Sequence, residues 1–181
     1  MKNALKLIVD NLSSLEGNFK SLTSKEVLVG VPEEKTARQN TKEPNNAMLA
    51  YVHDNGSPAQ NIPARPFMNP GILRAKEPIA AIFKRGATRC LDGDKAALTK
   101  TLNEAGLTAQ ASIRAVINEG IPPALKSGTL KARIRARRGA KGAAAELERR
   151  RLGLAEGVDL AKPLVNTGQL RNSINYVIRD N

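Results

Sequence analysis

Residues 94–120 read DKAALTKTLNEAGLTAQASIRAVINEG, and they carry the strongest helical pattern in the chain. Their apolar residues recur at intervals of three and four, which is typical of one face of an α-helix. The predicted stripe consists of Leu98, Leu102, Leu107, Ala111, Ile113, Ala115, Val116 and Ile117. Asp92 or Asp94 is suited to cap the first turn, and Gly120 with the Pro122–Pro123 pair ends the helix. Such a stripe has to be buried, so we expect the rest of the fold to pack on this helix.

Two short β-forming stretches lie far from this helix in sequence, one near each end of the chain. VLVGV, residues 27–31, is rich in β-branched residues and stops at Pro32, and SINYVI, residues 173–178, also favours a strand. We expect these first and last strands to pair. The predicted fold class is α+β, with a small antiparallel sheet packed by the long helix, an N-terminal helix and extended loops. Residues 1–181 are interpreted as a single α+β domain.

Three further helices and one long loop complete the predicted fold, and within the basic segment residues 143–153, AAAELERRRLG, offer a short helix as an alternative to a loop. Residues 2–16 have apolar residues at helical spacing and predict an amphipathic helix. A polar loop near residues 33–46 follows the first strand, and residues 47–56, AMLAYVHDNG, predict a short helix. Residues 72–91 also have a helical pattern, but Pro78 within it predicts either a kink or the start of a second helix.

The composition is basic and contains few groups that could do chemistry. Lys and Arg number 29 against 17 Asp and Glu, which gives a net charge of +12 over 181 residues. Cys90 is the one cysteine and excludes an intramolecular disulfide; we interpret it as a structural thiol. His53 is the one histidine, which excludes a multi-histidine metal site, and we assign it a surface or capping role.

The sequence also limits the classes of function that we expect for this protein. No apolar run approaches the roughly 18 residues that span a bilayer, and acidic residues interrupt any signal sequence near the start of the chain. We expect a chain made in a reducing cytoplasm that has no membrane partner. We also expect it not to be an enzyme and to have no catalytic, cofactor-binding or metal-binding residues.

The positive charge is concentrated near the middle of the second half of the chain. Residues 126–151 hold ten Lys or Arg and two Glu, so this window supplies eight of the twelve net positive charges. We interpret the segment near 126–160 either as a mobile, solvated loop or as a contact for phosphates or an acidic protein surface. The candidate contact residues are Lys131, Arg133, Arg135, Arg137, Arg138, Arg149, Arg150 and Arg151.

A stretch rich in proline precedes the helical pattern over residues 72–91. Residues 61–71 read NIPARPFMNPG, and each proline fixes its own φ and biases the preceding residue towards an extended conformation. We hypothesise that residues 57–70, here called the proline arm, lie at a subunit or partner interface. The candidate interface residues are Ile62, Pro63, Arg65, Pro66 and Phe67. The alternative is that Phe67 packs into its own core and Arg65 forms an internal salt bridge.

Four blocks of sequence, taken in order, resemble a known family. They are VLVGVPEE, AYVHDNGSPAQNIPARPFMNPG, IPPALKSGTLKAR and KPLVNTGQLRNSINYVI. Together they resemble the tailed-phage virion-morphogenesis proteins of the tail-completion or head–tail joining (neck) family. The matching residues are Gly30, Ala50, Val52, His53, Gly56, Ile62 to Phe67, Leu125, Thr129, Leu130, Pro163, Leu164, Thr167, Gly168, Leu170, Ser173, Ile174 and Tyr176.

This resemblance implies a structural role without catalysis. It implies a ring at the junction of phage head and tail, with six subunits favoured over twelve, whose partners are copies of itself and tail-tube, terminator or connector proteins. It implies residence in the virion, at the neck or the tail end, after synthesis in the host cytoplasm. The basic segment would then dock onto an acidic protein or touch DNA in the lumen without sequence preference. The alternative is a basic nucleic-acid-binding accessory protein.

Overall fold

The computed structural model describes residues 16–17, 20, 23–32, 44–94 and 96–180. Nearly all of the helix predicted over residues 2–16 and most of the loop predicted near 33–46 lie outside the described residues. The elements in the described part are β1 (Lys25–Gly30), α1 (Asn46–Asn55), a short 3-10 helix (Pro58–Gln60), α2 (Met68–Leu91), α3 (Ala97–Glu119), α4 (Ser127–Arg135), α5 (Ala140–Arg151), α6 (Gln169–Ser173) and β2 (Asn175–Asp180). This mainly helical arrangement with a small antiparallel sheet confirms the α+β fold class.

The described residues form one two-stranded sheet, and its strands come from opposite ends of the sequence. β1 and β2 run antiparallel, with Lys25 opposite Asp180 and Gly30 opposite Asn175, which confirms the predicted pairing of the first and last strands. The α3 helix supports the sheet from one side. The hydroxyl of Tyr176 donates to Asn103 Oδ1 at 2.8 Å, and the Tyr176 ring packs directly over Gly106.

The buried face of α3 differs from the predicted stripe. Leu107 and Ala111 are exposed, whereas Leu102, Ala105 and Ala109 are buried together with Ile113, Val116 and Ile117. The small residues are buried because the backbone of α2 and the ring of Tyr176 approach α3 closely on that side. The predicted inclusion of Leu107 and Ala111 in the buried stripe is therefore wrong, although the helix itself is confirmed.

The α2 helix packs along α3 with unusually small residues at the contact. It runs as one helix from Met68 to Leu91 with Pro78 inside it, so of the two alternatives at Pro78 the start of a second helix is excluded. Gly71 lies against the backbone of Ile113, and the hydroxyl of Ser112 donates to the Gly71 carbonyl at 2.7 Å. The absence of a Cβ at residue 71 sets how closely the two helices approach.

We expect Gly71→Ala to lower the free energy of unfolding by about 1–3 kcal/mol, the usual range for overpacking. A Cβ at residue 71 would lie 2.6 Å from the Cα of Ile113, which is backbone and cannot rotate away. Urea denaturation followed by circular dichroism measures the change. Gly128→Ala in α4 is the matched control, because nothing lies within 4 Å of its added Cβ. Equal stability of the two variants would contradict the close packing of α2 on α3.

Two hydrophobic clusters hold the elements together. The main cluster joins Phe67 of the proline arm to Ile113, Val116 and Ile117 of α3 and to Ile174, which precedes β2. The second cluster lies between α4 and α5 and contains Leu125, Leu130, Ala143 and Ala161. Two helices with their own buried contacts occupy much of residues 126–160, so the interpretation of this segment as a solvated loop is corrected, and the short helix over residues 143–153 is confirmed as part of α5.

Candidate functional site

Hydrogen bonds to residues at the end of α1 hold the proline arm in place. The backbone N–H of Arg65 donates to the carbonyl of His53 at 2.8 Å. Asp54 Oδ1 accepts from the backbone N–H groups of Phe67 at 2.7 Å and Met68 at 3.0 Å, so it caps the start of α2 from a distant position in sequence. The arm thus connects the end of α1 to the start of α2 in a fixed direction.

The structure places both candidate anchors of the arm inside the protein. Phe67 is 0% exposed and belongs to the main hydrophobic cluster. Arg65 is 6% exposed, and its Nε and Nη2 donate to the carbonyl of Pro123 at 3.2 and 2.8 Å. The assignment of Phe67 as an interface residue is therefore corrected, and the alternative that it packs into its own core is confirmed. The second part of that alternative, an internal salt bridge at Arg65, is wrong, since the partner of Arg65 is a backbone carbonyl.

The remaining arm candidates differ in their access to solvent. Pro66 is exposed, while Ile62 and Pro63 are half-buried. A contact of the arm with another subunit has these residues and the exposed positions 58–61, 64, 69 and 70 available to it. The interface hypothesis stays a prediction for that exposed part.

A cavity of about 230 Å³ opens beside Arg65, and we call it the arginine pocket. It is built from α1, the proline arm, α4 and the turn before α6. Its polar lining is His53, Arg65, Thr129, Arg133, Asn166 and Thr167. Sequence reasoning missed the pocket because these residues come from four separate segments. All of them except Arg133 and Asn166 are among the residues that carry the family resemblance.

The two arginines of this pocket are buried without an acidic partner. Arg133 is 9% exposed, and its Nη1 donates to the carbonyl of Lys162 at 3.1 Å. Neither Arg65 nor Arg133 forms an ion pair with any carboxylate among the residues that the structure describes. Burial lowers the pKa of both guanidinium groups, and the charge of Arg65 lowers the pKa of Arg133 further. The pocket therefore has a strongly positive potential.

His53 lies in the same pocket rather than on the open surface. Burial lowers the pKa of His53, and the positive charge of Arg65 lowers it further. Its Nδ1 is buried and has no hydrogen-bond partner within the described part of the chain. Next to the arginine pocket, a larger cavity of about 910 Å³ shares His53, Arg65 and Thr129 with it. The predicted surface role of His53 is therefore corrected.

The basic segment divides into two groups of different character. Arg149 and Arg150 both bind Glu146, which is completely buried, and Arg151 pairs with Glu148 on the surface. Lys131, Arg135, Arg137 and Arg138 are exposed and, in the ranges given above, form no ion pair. Of the eight candidate residues, these four remain free to contact a partner.

Burial on its own raises the pKa of Glu146, but three hydrogen-bonding groups outweigh that effect. The backbone N–H of Gly157 donates to Oε1 at 3.1 Å, and Arg150 Nε donates to the same oxygen at 3.0 Å. Arg149 Nε donates to Oε2 at 2.9 Å. As a result the pKa of Glu146 lies below its ordinary value, and the carboxylate fixes α5 against the chain that follows it.

Other chemical groups give little indication of a site. Cys90 is buried at the end of α2, and burial followed by the charge of Asp94 raises the pKa of its thiol. Within the residues that the structure covers, no group of three or more His, Cys, Asp or Glu side chains is placed to hold a metal ion. No helix in those same ranges is both long and apolar enough to cross a membrane.

Comparisons with protein-family models, with curated proteins and with solved structures find no match for this chain. The resemblance to the head–tail joining family is carried by the quoted blocks of sequence and stays a prediction.

Proposed function

We propose that this protein is a structural assembly protein that forms a ring at the head–tail junction of a tailed phage. One observation carries the proposal: residues that match the family in separate blocks are neighbours in space. His53, Arg65, Thr129 and Thr167 lie up to 114 positions apart in sequence, yet they line one pocket. Residues that matched the family by chance would not be expected to line one pocket. Their proximity therefore supports the resemblance of the separate blocks to one family.

Exposed apolar side chains supply surface for ring contacts. Tyr51 on α1 is 70% exposed, and Leu73 on α2 is 69% exposed. Leu152 and Leu154 follow α5 and are exposed as well. A ring needs two different patches on each subunit, because each copy meets its neighbour head to tail. These side chains, on three separate elements, are the candidates for such patches together with the exposed part of the proline arm.

The test measures both assembly and location. Static light scattering gives the mass of the purified chain at low and high salt, and an antibody detects the chain in the particle fraction of the cells that produce it. We expect a discrete oligomer or a particle-bound chain. A monomer that is absent from particles would overturn the proposal.

A second candidate function is a nucleic-acid-binding accessory protein. The observation that favours it is the group formed by Lys131, Arg135, Arg137 and Arg138, which are exposed and have no acidic partner in the described ranges. These residues end α4 and lead into the turn before α5. Such a group is suited to contacts with the phosphate backbone of a nucleic acid. These contacts fix the position of a protein on the nucleic acid but do not recognise its base sequence.

We expect the triple variant Arg135→Gln, Arg137→Gln and Arg138→Gln to weaken binding to double-stranded DNA and to flatten its salt dependence. Each lost phosphate contact reduces the slope of log K against log salt by about 0.9, so three contacts account for a change of roughly 3. Fluorescence anisotropy with a labelled duplex measures both quantities.

The matched control removes the same charge from another exposed surface, with Lys76→Gln, Lys84→Gln and Arg89→Gln on α2. An equal effect of both triple variants would mean that net charge, and not this turn, determines DNA binding. If the first triple variant loses DNA binding but is still incorporated into particles, the result would favour the ring-forming protein over the nucleic-acid-binding accessory protein.

A further inference from the structure

We propose that the arginine pocket is a binding site for a carboxylate group that carries a short apolar stem. The inference does not depend on the ring, because it rests on the pocket's own charges, donors and lining.

The arginine pocket has two buried positive charges and no counter-charge within the described ranges. The half-buried Arg114 also has backbone carbonyls as its partners in the described ranges, but Arg149 and Arg150 share the carboxylate of Glu146. Arg65 and Arg133 are buried more deeply than these two, yet they have only backbone carbonyls as partners in the described ranges. Two buried positive charges that repel each other are costly unless an anion offsets them. A bound anion would supply the missing counter-charge.

Both arginines of the pocket have N–H donors that are not used by a protein acceptor among the described residues. Arg65 uses Nε and Nη2 on the Pro123 carbonyl, and Arg133 uses Nη1 on the Lys162 carbonyl. Arg65 Nη1 and two nitrogens of Arg133 are left for a ligand, since a guanidinium has five N–H donors. Thr129 and Thr167 are exposed residues of the pocket lining, so the cavity is open to solvent and a ligand is able to enter.

The apolar part of the lining indicates which class of anion the pocket would bind. Leu49, Leu125, Leu164 and Leu170 line the same cavity, so an apolar stem would contact its walls while a charged head meets the arginines. A guanidinium fork matches a carboxylate and a phosphate alike, so the apolar walls and the cost of removing water from the ion decide between them. A phosphate dianion has no stem and loses far more hydration on entry, because the desolvation penalty of an ion is severe in a buried site.

The carboxylate has two possible sources, a free small acid or the acidic side chain of another polypeptide. Both present the same head and a short stem. A free acid ends at its stem, whereas an acidic side chain continues into a polypeptide. The adjoining cavity of about 910 Å³ has room for neighbouring residues of that polypeptide. Two ligands of matched chemistry therefore distinguish the sources.

The experiment uses the one imidazole of the chain as its reporter. The C2 proton of His53 gives a single resonance that is followed by NMR as a function of pH. The charged groups around His53 are Arg65 and Arg133 in the pocket and Lys126 and Glu156 in the adjoining cavity. A negative charge beside Arg65 favours the protonated imidazole, so binding of a carboxylate raises the pKa of His53.

Titration of the full chain with butyrate at constant ionic strength is expected to give a saturable change, whereas chloride gives none. Arg133→Met is expected to weaken butyrate binding roughly 10- to 100-fold, the effect of losing a charge-assisted hydrogen bond. Arg135→Met is the matched control, since it removes the same charge from an exposed position on the same helix and should leave the affinity unchanged.

The wild-type protein decides the proposal even if Arg133→Met does not fold. No saturable effect of butyrate on His53 would overturn it, and so would a saturable effect of inorganic phosphate together with none of butyrate. Blocked tripeptides with a central Glu or Gln complete the set. Binding of the Glu peptide more tightly than butyrate supports the site with a polypeptide as its source, and the reverse order supports it with a free acid.

Discussion

Phe67→Ala is expected to lower the free energy of unfolding by about 3–5 kcal/mol, the range for removing a buried aromatic ring. The ring is 0% exposed and packs with Ile113, Ile117 and Ile174, so its removal leaves a cavity where the arm, α3 and the start of β2 meet. The surrounding backbone is held by Asp54 and by the close contact of α2 with α3, so we expect little collapse into the cavity. Urea denaturation followed by circular dichroism measures the loss.

Phe83→Ala is the matched control, because Phe83 is the same residue type on α2 and is 41% exposed. We expect it to lose less than half as much stability, in proportion to the smaller area that it buries. A loss below about 1 kcal/mol for Phe67→Ala would place the ring outside the core. It would also restore the hypothesis that Phe67 serves a neighbouring subunit. If Phe67→Ala is destabilised as expected, a defect in its assembly is explained by unfolding of the subunit and is not evidence for a lost contact between subunits.

The strands and the long helix could be predicted from the sequence because local chemistry determines them. The β-branched residues of VLVGV and the β-formers near the end of the chain favour strands wherever they pack. The boundary of the buried face of α3 could not be read in this way. Leu107 is more apolar than Gly106, yet Gly106 is buried because Tyr176 comes from the far end of the chain to cover it. Periodicity identifies a helix, whereas its neighbours decide which face is buried.

The candidate site was less accessible to sequence reasoning for the same physical reason. A count of charges over residues 126–151 cannot show which of its arginines have partners, because those partners include Asp159 and the carbonyls of Leu125 and Lys162. One local signal was present. Glu146 stands three and four residues before Arg149 and Arg150, which is the helical spacing for ion pairs. That spacing predicts a helix with internal pairing instead of a solvated loop.

Glu146→Gln is expected to destabilise the region of α4 and α5 by about 3 kcal/mol, because it leaves partly buried arginine charges without a counter-charge. Glutamine keeps the size of the side chain, but it is neutral and one of its two terminal atoms is a donor that faces guanidinium donors. Hydrogen exchange of the α5 amides measures the local loss, and urea denaturation measures the global one. Glu148→Gln is the matched control on the same helix, since its pair with Arg151 is on the surface and is expected to contribute less than about 1 kcal/mol.

The pH dependence of the Glu146→Gln effect tests its electrostatic origin. Burial raises the pKa of Glu146, but its hydrogen bonds lower the value overall, so the folded pKa lies below the ordinary value of 4.5. A carboxyl with a lowered folded pKa contributes stability that is fully present above its unfolded pKa and is lost as pH falls through its folded pKa. The difference in stability between wild type and Glu146→Gln should therefore be constant near neutral pH and shrink as the pH falls below 4.5. A difference that stays the same in acid would mean that the glutamate acts through packing, and the ion pairs of Arg149 and Arg150 would then not be what holds α5 in place.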